Sequence, residues 1–474
     1  MDPIRLRTAK LSPLISFQSL KLLPIRHSTD PVRFEAHQSK AESYLRLFLF
    51  LYIYKIMMNR IFYRYRLIIL MLLVAASMLL HSCDRPSAIS LLDNRVKTGS
   101  EVLLDNYLDE LEGLSVGLVM NPTSRIGDTH MLDTLLSHGV NVRALFAPEH
   151  GFRGEAGAGD LIEDNIDTAT GLPVYSLYGT TRKPNSEMLS GIDLLLFDIQ
   201  DVGARFYTYI ATLGLVMEAA ADNEVDIWVL DRPNPLGGNY VSGWTLEEEF
   251  ESFVGPYPIP VAHGLTIGEM AMMIAGEGWM DSERKPELRV IKMEGWKRLM
   301  KWPDTGLEWI PPSPNLPAFD NAFFYPGAVF FEGTTLSEGR GTDNPFLTLG
   351  SPQTDLDDMD WDELSLLNGV HLLPHSFTPQ SIPGVASNPK HEGEQCRGLY
   401  VELHSYQFDP VRTGLKIFAT LMEATPDAEV NPFLYRLAGT RKIDRILTGE
   451  LDPVTLDFEI EPFLRQREPY LIYK

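Results

Sequence analysis

Four short clusters hold most of the groups able to do chemistry in this chain. They are Asn121-Pro122-Thr123-Ser124, Glu149-His150-Gly151, Asp198-Ile199-Gln200-Asp201 and Asp231-Arg232-Pro233-Asn234. Together they set carboxylates beside amides, a guanidinium and an imidazole. That inventory suits a carbohydrate site. Cleaving a glycosidic bond needs an acid to protonate the leaving oxygen and a second group to stabilise or attack the oxocarbenium-like centre. Tyr207, Tyr209 and Trp244 offer rings that could pack on sugar faces, although such residues more often fill the core of an α/β protein. Taken singly, each cluster reads equally well as a turn, because Asn-Pro and Gly-rich stretches punctuate chains of every kind.

The clusters gain weight from the elements that precede them. Residues 114–120, 141–146, 193–197 and 226–230 are short apolar runs, and a polar cluster follows each at once. Helical patterns near 131–138 and 212–221 lie between the runs. Apolar strands alternating with helices predict a parallel sheet covered on both faces. In such sheets ligands bind in the crevice beyond the carboxyl ends of the strands. The expectation is that the four clusters converge on one crevice. Farther on, Thr266 followed by Glu269 signals a helix start, with the helix running to about Gly276 and a strand at 288–292. His263 sits in the loop ahead of that helix.

Other chemistries fit less well. No Gly-x-Gly-x-x-Gly follows a strand, there is no Walker A loop, and no His-Glu-x-x-His occurs. Gly113-Leu114-Ser115-Val116-Gly117 has the spelling of a serine-hydrolase elbow. It lies at the start of a strand, whereas the elbow must lie between a strand and a helix. A metal held by Glu149, His150, Asp198 and Asp201 is conceivable, but nothing in the spacing demands it, and no cofactor is expected. A net charge of −23 over 474 residues argues against nucleic acid as a partner. Only Cys83 and Cys396 are cysteines, so no disulfide framework stabilises the fold.

The amino-terminal region reads as targeting sequence. Arg60, Arg64 and Arg66 precede an apolar run at 67–80, and Cys83 follows three residues later. A positive segment, a short apolar segment and a cysteine form the pattern of a lipoprotein signal peptide, here 58–82, with Cys83 lipidated. The run is short for a membrane-spanning helix. A bacterial envelope location, lipid-anchored and facing the periplasm, is expected. Residues 1–57 then lie upstream of a natural start and read as a disordered, mis-annotated extension. They hold nine Lys/Arg against four Asp/Glu, and 58–82 adds three arginines, so the chain from Cys83 carries −31.

The proline-dense stretch 311–317, which contains Asn315, can be neither helix nor central strand. It sets an expected boundary between a parallel-sheet domain at 98–318 and a smaller C-terminal domain at 319–474. Near the start of the second part, glycines around Glu332, Glu338 and Arg340 permit tight turns that could present these side chains to a cleft. The acidic stretch 353–367 reads as solvated surface.

Asn121-Pro122-Thr123, the block 148–154 (Pro-Glu-His-Gly-Phe-Arg-Gly), the block 198–209 from Asp198 to Tyr209, the block 231–235 and Glu338-Gly339-Arg340-Gly341-Thr342 resemble the signature blocks of the NamZ family of exo-β-N-acetylmuramidases. The resemblance runs from about Leu114 to the C-terminus. It implies a Rossmann-like parallel-sheet N-terminal domain, a smaller α+β C-terminal domain and an active-site cleft between them. It implies release of N-acetylmuramic acid from the non-reducing end of peptidoglycan fragments, with Glu149 as the leading catalytic group. On this reading His150 orients Glu149 or contacts sugar. Asp201, Asp198 and Glu338 are rivals for the second carboxylate, and the substrate's own acetamido group is another route. Muramic acid carries a lactyl carboxylate, which a guanidinium can clamp in bidentate fashion. Arg205 and Arg340 are the expected readers of that group. Asn121, Gln200, Tyr207, Asp231, Arg232, Asn234, His263, Asn315 and Glu332 complete the expected binding set. Two rival readings use the same crevice: a lipid-anchored protein that binds muropeptides or sugars without cleaving them, and a metal-dependent esterase or deacetylase.

Overall fold

The computed structural model describes Phe50, residues 95–153 and residues 164–474. The described residues other than Phe50 all belong to the larger unit, Ala88–Lys474. The expected extension (Phe50 aside), the signal segment and Cys83 lie outside the described residues, as does the end of the block 148–154.

The larger unit opens with helix α1 (Gly99–Asn106), started by a capping box between Thr98 and Glu101. The main sheet follows. Strands β1 (Ser115–Met120), β4 (Asn141–Ala147), β6 (Pro173–Ser176), β7 (Leu194–Asp198), β8 (Asp226–Leu230) and β9 (Leu288–Ile291) pair in parallel. A two-residue strand β5 (Asn165–Ile166) adds antiparallel to the outer edge of β6. A small ribbon, β2 (Arg125–Ile126) with β3 (Thr129–His130), stands apart. The sheet order is β5-β6-β4-β1-β7-β8-β9. Counting only parallel strands in chain order gives 3-2-1-4-5-6, the doubly wound arrangement, which reverses direction between β1 and β7. Helices α2 (Met131–Ser137), α3 (Tyr209–Asn223) and α4 (Ile267–Glu277) accompany it. Thr266 and Glu269 form the expected capping box of α4.

These strands form because both sheet faces are covered. From Val116 to Met120 and through all of β7 every side chain is buried, which requires continuous apolar runs rather than alternation. The sequence carries no such signal for β6, which is four residues long and begins with a proline, or for β5, which is exposed. Ser115 of the Gly-x-Ser-x-Gly spelling sits at the amino end of β1, where its Oγ accepts from Asn141.

Beyond 318 the chain forms helix α5 (Phe319–Ala328), then a three-stranded antiparallel sheet in the order β10-β12-β11. Its strands are β10 (Thr348–Ser351), β11 (Val370–Phe377) and β12 (Cys396–Leu403). Helix α6 (Trp361–Leu364) precedes β11, and α7 (Pro410–Glu423) and α8 (Phe433–Ala438) follow β12. Pro326 lacks a donor, and α5 gives way soon after it to a 3-10 turn, Val329–Gly333, that carries Glu332. One hydrophobic cluster runs from Val119 and Phe146 through Phe323 and Phe331 to Phe418 and Phe463, so the two sheets share a core. The stretch 353–367 is solvated at its acidic positions, with Asp357, Asp360, Asp362 and Glu363 exposed, but it is anchored to the core. Thr354, Met359 and Leu364 are buried, and Trp361 donates to the Leu356 carbonyl.

Candidate active site

After β4 the chain turns sharply. His150 and Gly151 both adopt left-handed backbone, φ 74° and 85°, and the Gly151 amide donates back to the Pro148 carbonyl at 3.1 Å. A non-glycine residue in that region is strained, and such strain concentrates at functional sites. The turn aims Glu149 at the amino end of α3. There the Thr208 hydroxyl, at the N-cap position but not capping its own helix, donates to Glu149 Oε2 at 2.8 Å. Tyr178, just beyond β6, also engages the Glu149 carboxylate. Burial together with that negative charge pushes its phenol up to about 12.

Glu149 and Tyr178 line a cavity of about 400 Å³ with Phe206, Thr208, Tyr325, Glu332, Glu338, Arg340 and the loop 385–390. A small pocket of about 50 Å³ continues from Glu149 to His150, Tyr207, Ser313 and Phe346. The far wall is an ion-pair chain. Arg340 contacts Glu332 at 2.7 Å and Glu338 at 3.5 Å, and Lys390 contacts Glu338 at 2.9 Å. Arg340 also stands over the Phe346 ring, 5.0 Å from its centroid. Gly339 and Gly341 flank Arg340 with φ of 79° each. A side chain at either would run into the Thr348 or Gln380 carbonyl, so Gly-Arg-Gly is the sequence this turn requires. Burial drives the Glu332 carboxyl above its ordinary range against the pull of Arg340. Burial would raise Glu338 as well, but Lys390 and Arg340 overcome it and hold that carboxyl low. Two acids whose environments push them apart are the arrangement acid–base chemistry uses.

The structure therefore brings Glu149, His150, Tyr207, Glu332, Glu338 and Arg340 to one site. It does not gather all four strand-end clusters there. Thr123, Gln200 and Arg232 line a separate cavity of about 350 Å³ at the reversal between β1 and β7, completed by Arg95, Glu101 and Trp302. Glu149 follows β4, on the other side of β1, and is joined by chain from beyond α5. That is why the single expected crevice is two.

Several expected site residues carry structural hydrogen bonds instead. Asp198, fully buried, is held bidentately by Arg232 and accepts from Ser100 at 2.7 Å. Asp201 caps the Gly203 amide at 2.7 Å and lies 3.8 Å from His263, whose Nδ1 accepts from the Leu265 amide. Asp231 accepts from Thr266, Gly268 and Tyr473, and its burial pushes the carboxyl up to about 7. Asn121 and Asn234 close turns through Thr123 and Leu236 and donate to Tyr209 and the Leu265 carbonyl. Gln200 donates to the Asp201 and Pro233 carbonyls, and Asn315 to that of Val385. Trp244 packs edge-on against Phe458 in the core. No three His, Cys, Asp or Glu side chains come within reach of a common metal ion among the described residues.

Arg205 corrects an expectation most clearly. It is completely buried, with neither Asp198 nor Asp201 as partner. It donates instead to the carbonyls of Trp244, Ile259 and Leu437, at 2.7–2.9 Å. It ties the loop 244–259 to α8 and has no face toward the cavity. Arg205→Ala is expected to cost about 2–3 kcal/mol of stability, because buried carbonyls lose their donors. Chemical denaturation would measure this, and the ratio of activities on muramic acid and glucosamine substrates should stay constant.

Tyr178, Thr208, Tyr325 and Lys390 are among the residues of the site that were not foreseen. Thr208 lies inside a quoted block. Lys390 follows Asn388, whose φ is 52°, and Pro389, so a lone cation in a marked turn was its only signal.

Comparison with known proteins agrees with this architecture. Residues 116–320 match the family described as exo-beta-N-acetylmuramidase NamZ, N-terminal, and 323–473 its C-terminal counterpart. The peptidoglycan beta-N-acetylmuramidase NamZ of Bacillus subtilis (strain 168) is 42% identical over 395 residues, covering 80% of this chain and 92% of the relative. Crystal structures of two DUF1343 family proteins from Bacteroides fragilis NCTC 9343 superpose with TM-scores of 0.71 and 0.67. Each is 35% identical and covers 80% of this chain, which spans 100% and 99% of theirs. With both halves matched and the fold shared, the chain belongs to the NamZ family of exo-β-N-acetylmuramidases.

Proposed function

We propose that the chain hydrolyses the β-glycosidic bond of a terminal N-acetylmuramic acid, releasing that sugar from the non-reducing end of peptidoglycan fragments, with Glu149 as general acid/base. The observation that carries this reading is the meeting of Glu149 with the Glu332–Arg340–Glu338–Lys390 chain across one cavity. Thr208 and Tyr178 orient the Glu149 carboxyl for proton transfer to the leaving oxygen. Of the three rivals for the second carboxylate, Glu338 is the one that lines the cavity. Asp198 is committed to Arg232, and Asp201 to the Gly203 amide. Glu338, kept ionised by its two cations, faces the developing oxocarbenium charge. Glu332 is the more easily protonated of the pair. In its neutral form it leaves Arg340 and Lys390 opposed by one anion, a net positive wall suited to the lactyl carboxylate.

Incubating the purified protein with N-acetylmuramyl-β-1,4-N-acetylglucosamine and following free N-acetylmuramic acid by mass spectrometry tests the reading. Release is expected, and tight binding without release would move the protein to the class of binding proteins. Lys390→Met is expected to shift the acidic limb of the pH–rate profile to higher pH. Glu338 then loses a cation that holds its carboxyl low and is protonated sooner as pH falls. An unmoved limb would remove Glu338 from the mechanism.

The positive, apolar and cysteine-terminated segment 58–83 supports a lipid anchor on Cys83 and an envelope location beside the substrate. Labelled fatty acid should enter the intact chain and not its Cys83→Ala variant.

A further inference from the structure

A second groove, about 750 Å³, lies against the catalytic cavity. The two share a wall of consecutive residues. Tyr178 and Val254 line the Glu149 cavity, while their neighbours Gly179 and Phe253 line the groove. Tyr178 and Phe253 touch across this wall, with ring centroids 6.1 Å apart.

The groove is lined by the kinds of surface that hold sugars. Tyr257 and Trp279 stack there, 5.2 Å apart and 15° from parallel, with Trp279 partly exposed. Tyr257 is buried and backs Trp279, whose other face offers a flat apolar platform to the C–H face of a pyranose. Arg182 lies over the Phe253 ring, its guanidinium carbon 4.3 Å from the centroid. The neighbouring cation, Lys183, is taken up by Asp222 at 2.8 Å and Glu218 at 3.3 Å. Arg182 differs, because no carboxylate stands within ion-pair distance of it among the described residues. An exposed guanidinium held over an aromatic ring keeps its fork of donors ready for a planar anion.

Resting on the exo-muramidase reading, we propose that this groove is the leaving-group side of the active site, taking the disaccharide next along the glycan. The Tyr257–Trp279 platform receives a sugar face, and Arg182 pairs with the lactyl carboxylate of the following muramic acid. A glycan alternating muramic acid with glucosamine offers that carboxylate only on substrates longer than a disaccharide. The groove is therefore a gauge of chain length, separate from the wall of Arg340 and Lys390 that meets the sugar being removed.

Steady-state kinetics on two peptide-free substrates tests this: the disaccharide N-acetylmuramyl-N-acetylglucosamine and the tetrasaccharide with two such units. The expected result is a higher kcat/KM for the tetrasaccharide, carried in KM. In Arg182→Ala the tetrasaccharide-to-disaccharide ratio should fall about tenfold, with Arg182→Lys recovering part of it. Trp279→Ala should raise KM on both substrates, because the glucosamine beside the scissile bond is common to them. A wild-type ratio of one, or an Arg182→Ala effect equal on both substrates, overturns the subsite while leaving the muramidase reading in place. Cleavage of neither substrate overturns the muramidase reading, and the subsite with it.

Discussion

Glu149→Gln should lower kcat on the muramyl disaccharide by about 10²–10⁴-fold, the range that a positioned general acid contributes. Glutamine keeps the shape, and its carbonyl oxygen still accepts from Thr208, which now meets Oε2 at 2.8 Å. The turn that holds residue 149 depends on backbone at His150 and Gly151 rather than on the carboxyl. Thermal melting should therefore be unchanged, and substrate should still bind by calorimetry. Full turnover in this variant would mean that proton transfer belongs to another group, with Glu332 next in line because its burial favours the protonated form. A loss confined to KM would place Glu149 in binding rather than chemistry.

Asp198→Ala should act in the opposite way, on stability and not on the chemical step. Asp198 and Arg232 are both buried and hold each other through two contacts, with Ser100 completing the carboxylate. Removing the anion leaves a guanidinium buried without its partner, at a cost of about 3–5 kcal/mol. Urea denaturation should show the fall, and activity per folded molecule should stay near that of the parent. Asp198→Asn, which can still accept from Ser100 and Arg232, should lose less. If Asp198→Ala instead melted normally and lost turnover, the carboxylate would belong to the reaction. The separation of the two strand-end cavities would then have to be redrawn. The contrast between the two variants is useful because both residues look alike in sequence: each is an acid at the carboxyl end of a buried strand.

Much of the fold could be read from the chain directly. Strands β1, β4, β7 and β8 are covered on both faces, so each appears as an unbroken apolar run, and α4 announces itself through Thr266 and Glu269. Such signals are local, and burial on two faces leaves a strand little freedom in composition. The edge strand β5 and its neighbour β6 are short and partly exposed, so their sequences are nearly unconstrained and gave no signal.

The site divides along the same line. Glu149 and the Glu338-Gly339-Arg340 turn were visible because left-handed backbone and close carbonyls restrict which residues can occupy those turns. Arg205, Asp198 and Asp231 were equally visible as polar residues, yet their roles are structural. Whether a charge faces a cavity or the core depends on which distant carbonyls and cations surround it. The partners of Arg205 lie at 244, 259 and 437, and the cation that keeps Glu338 ionised is Lys390. Sequence alone determined a parallel sheet covered on both faces, the cap of α4 and the place of Glu149 at a strand end, because hydrophobic periodicity and backbone sterics act over a few residues. Only the tertiary structure decided which polar residues share the cavity with Glu149, because contacts between remote segments, and the burial they impose, are settled when the two halves of the chain pack together.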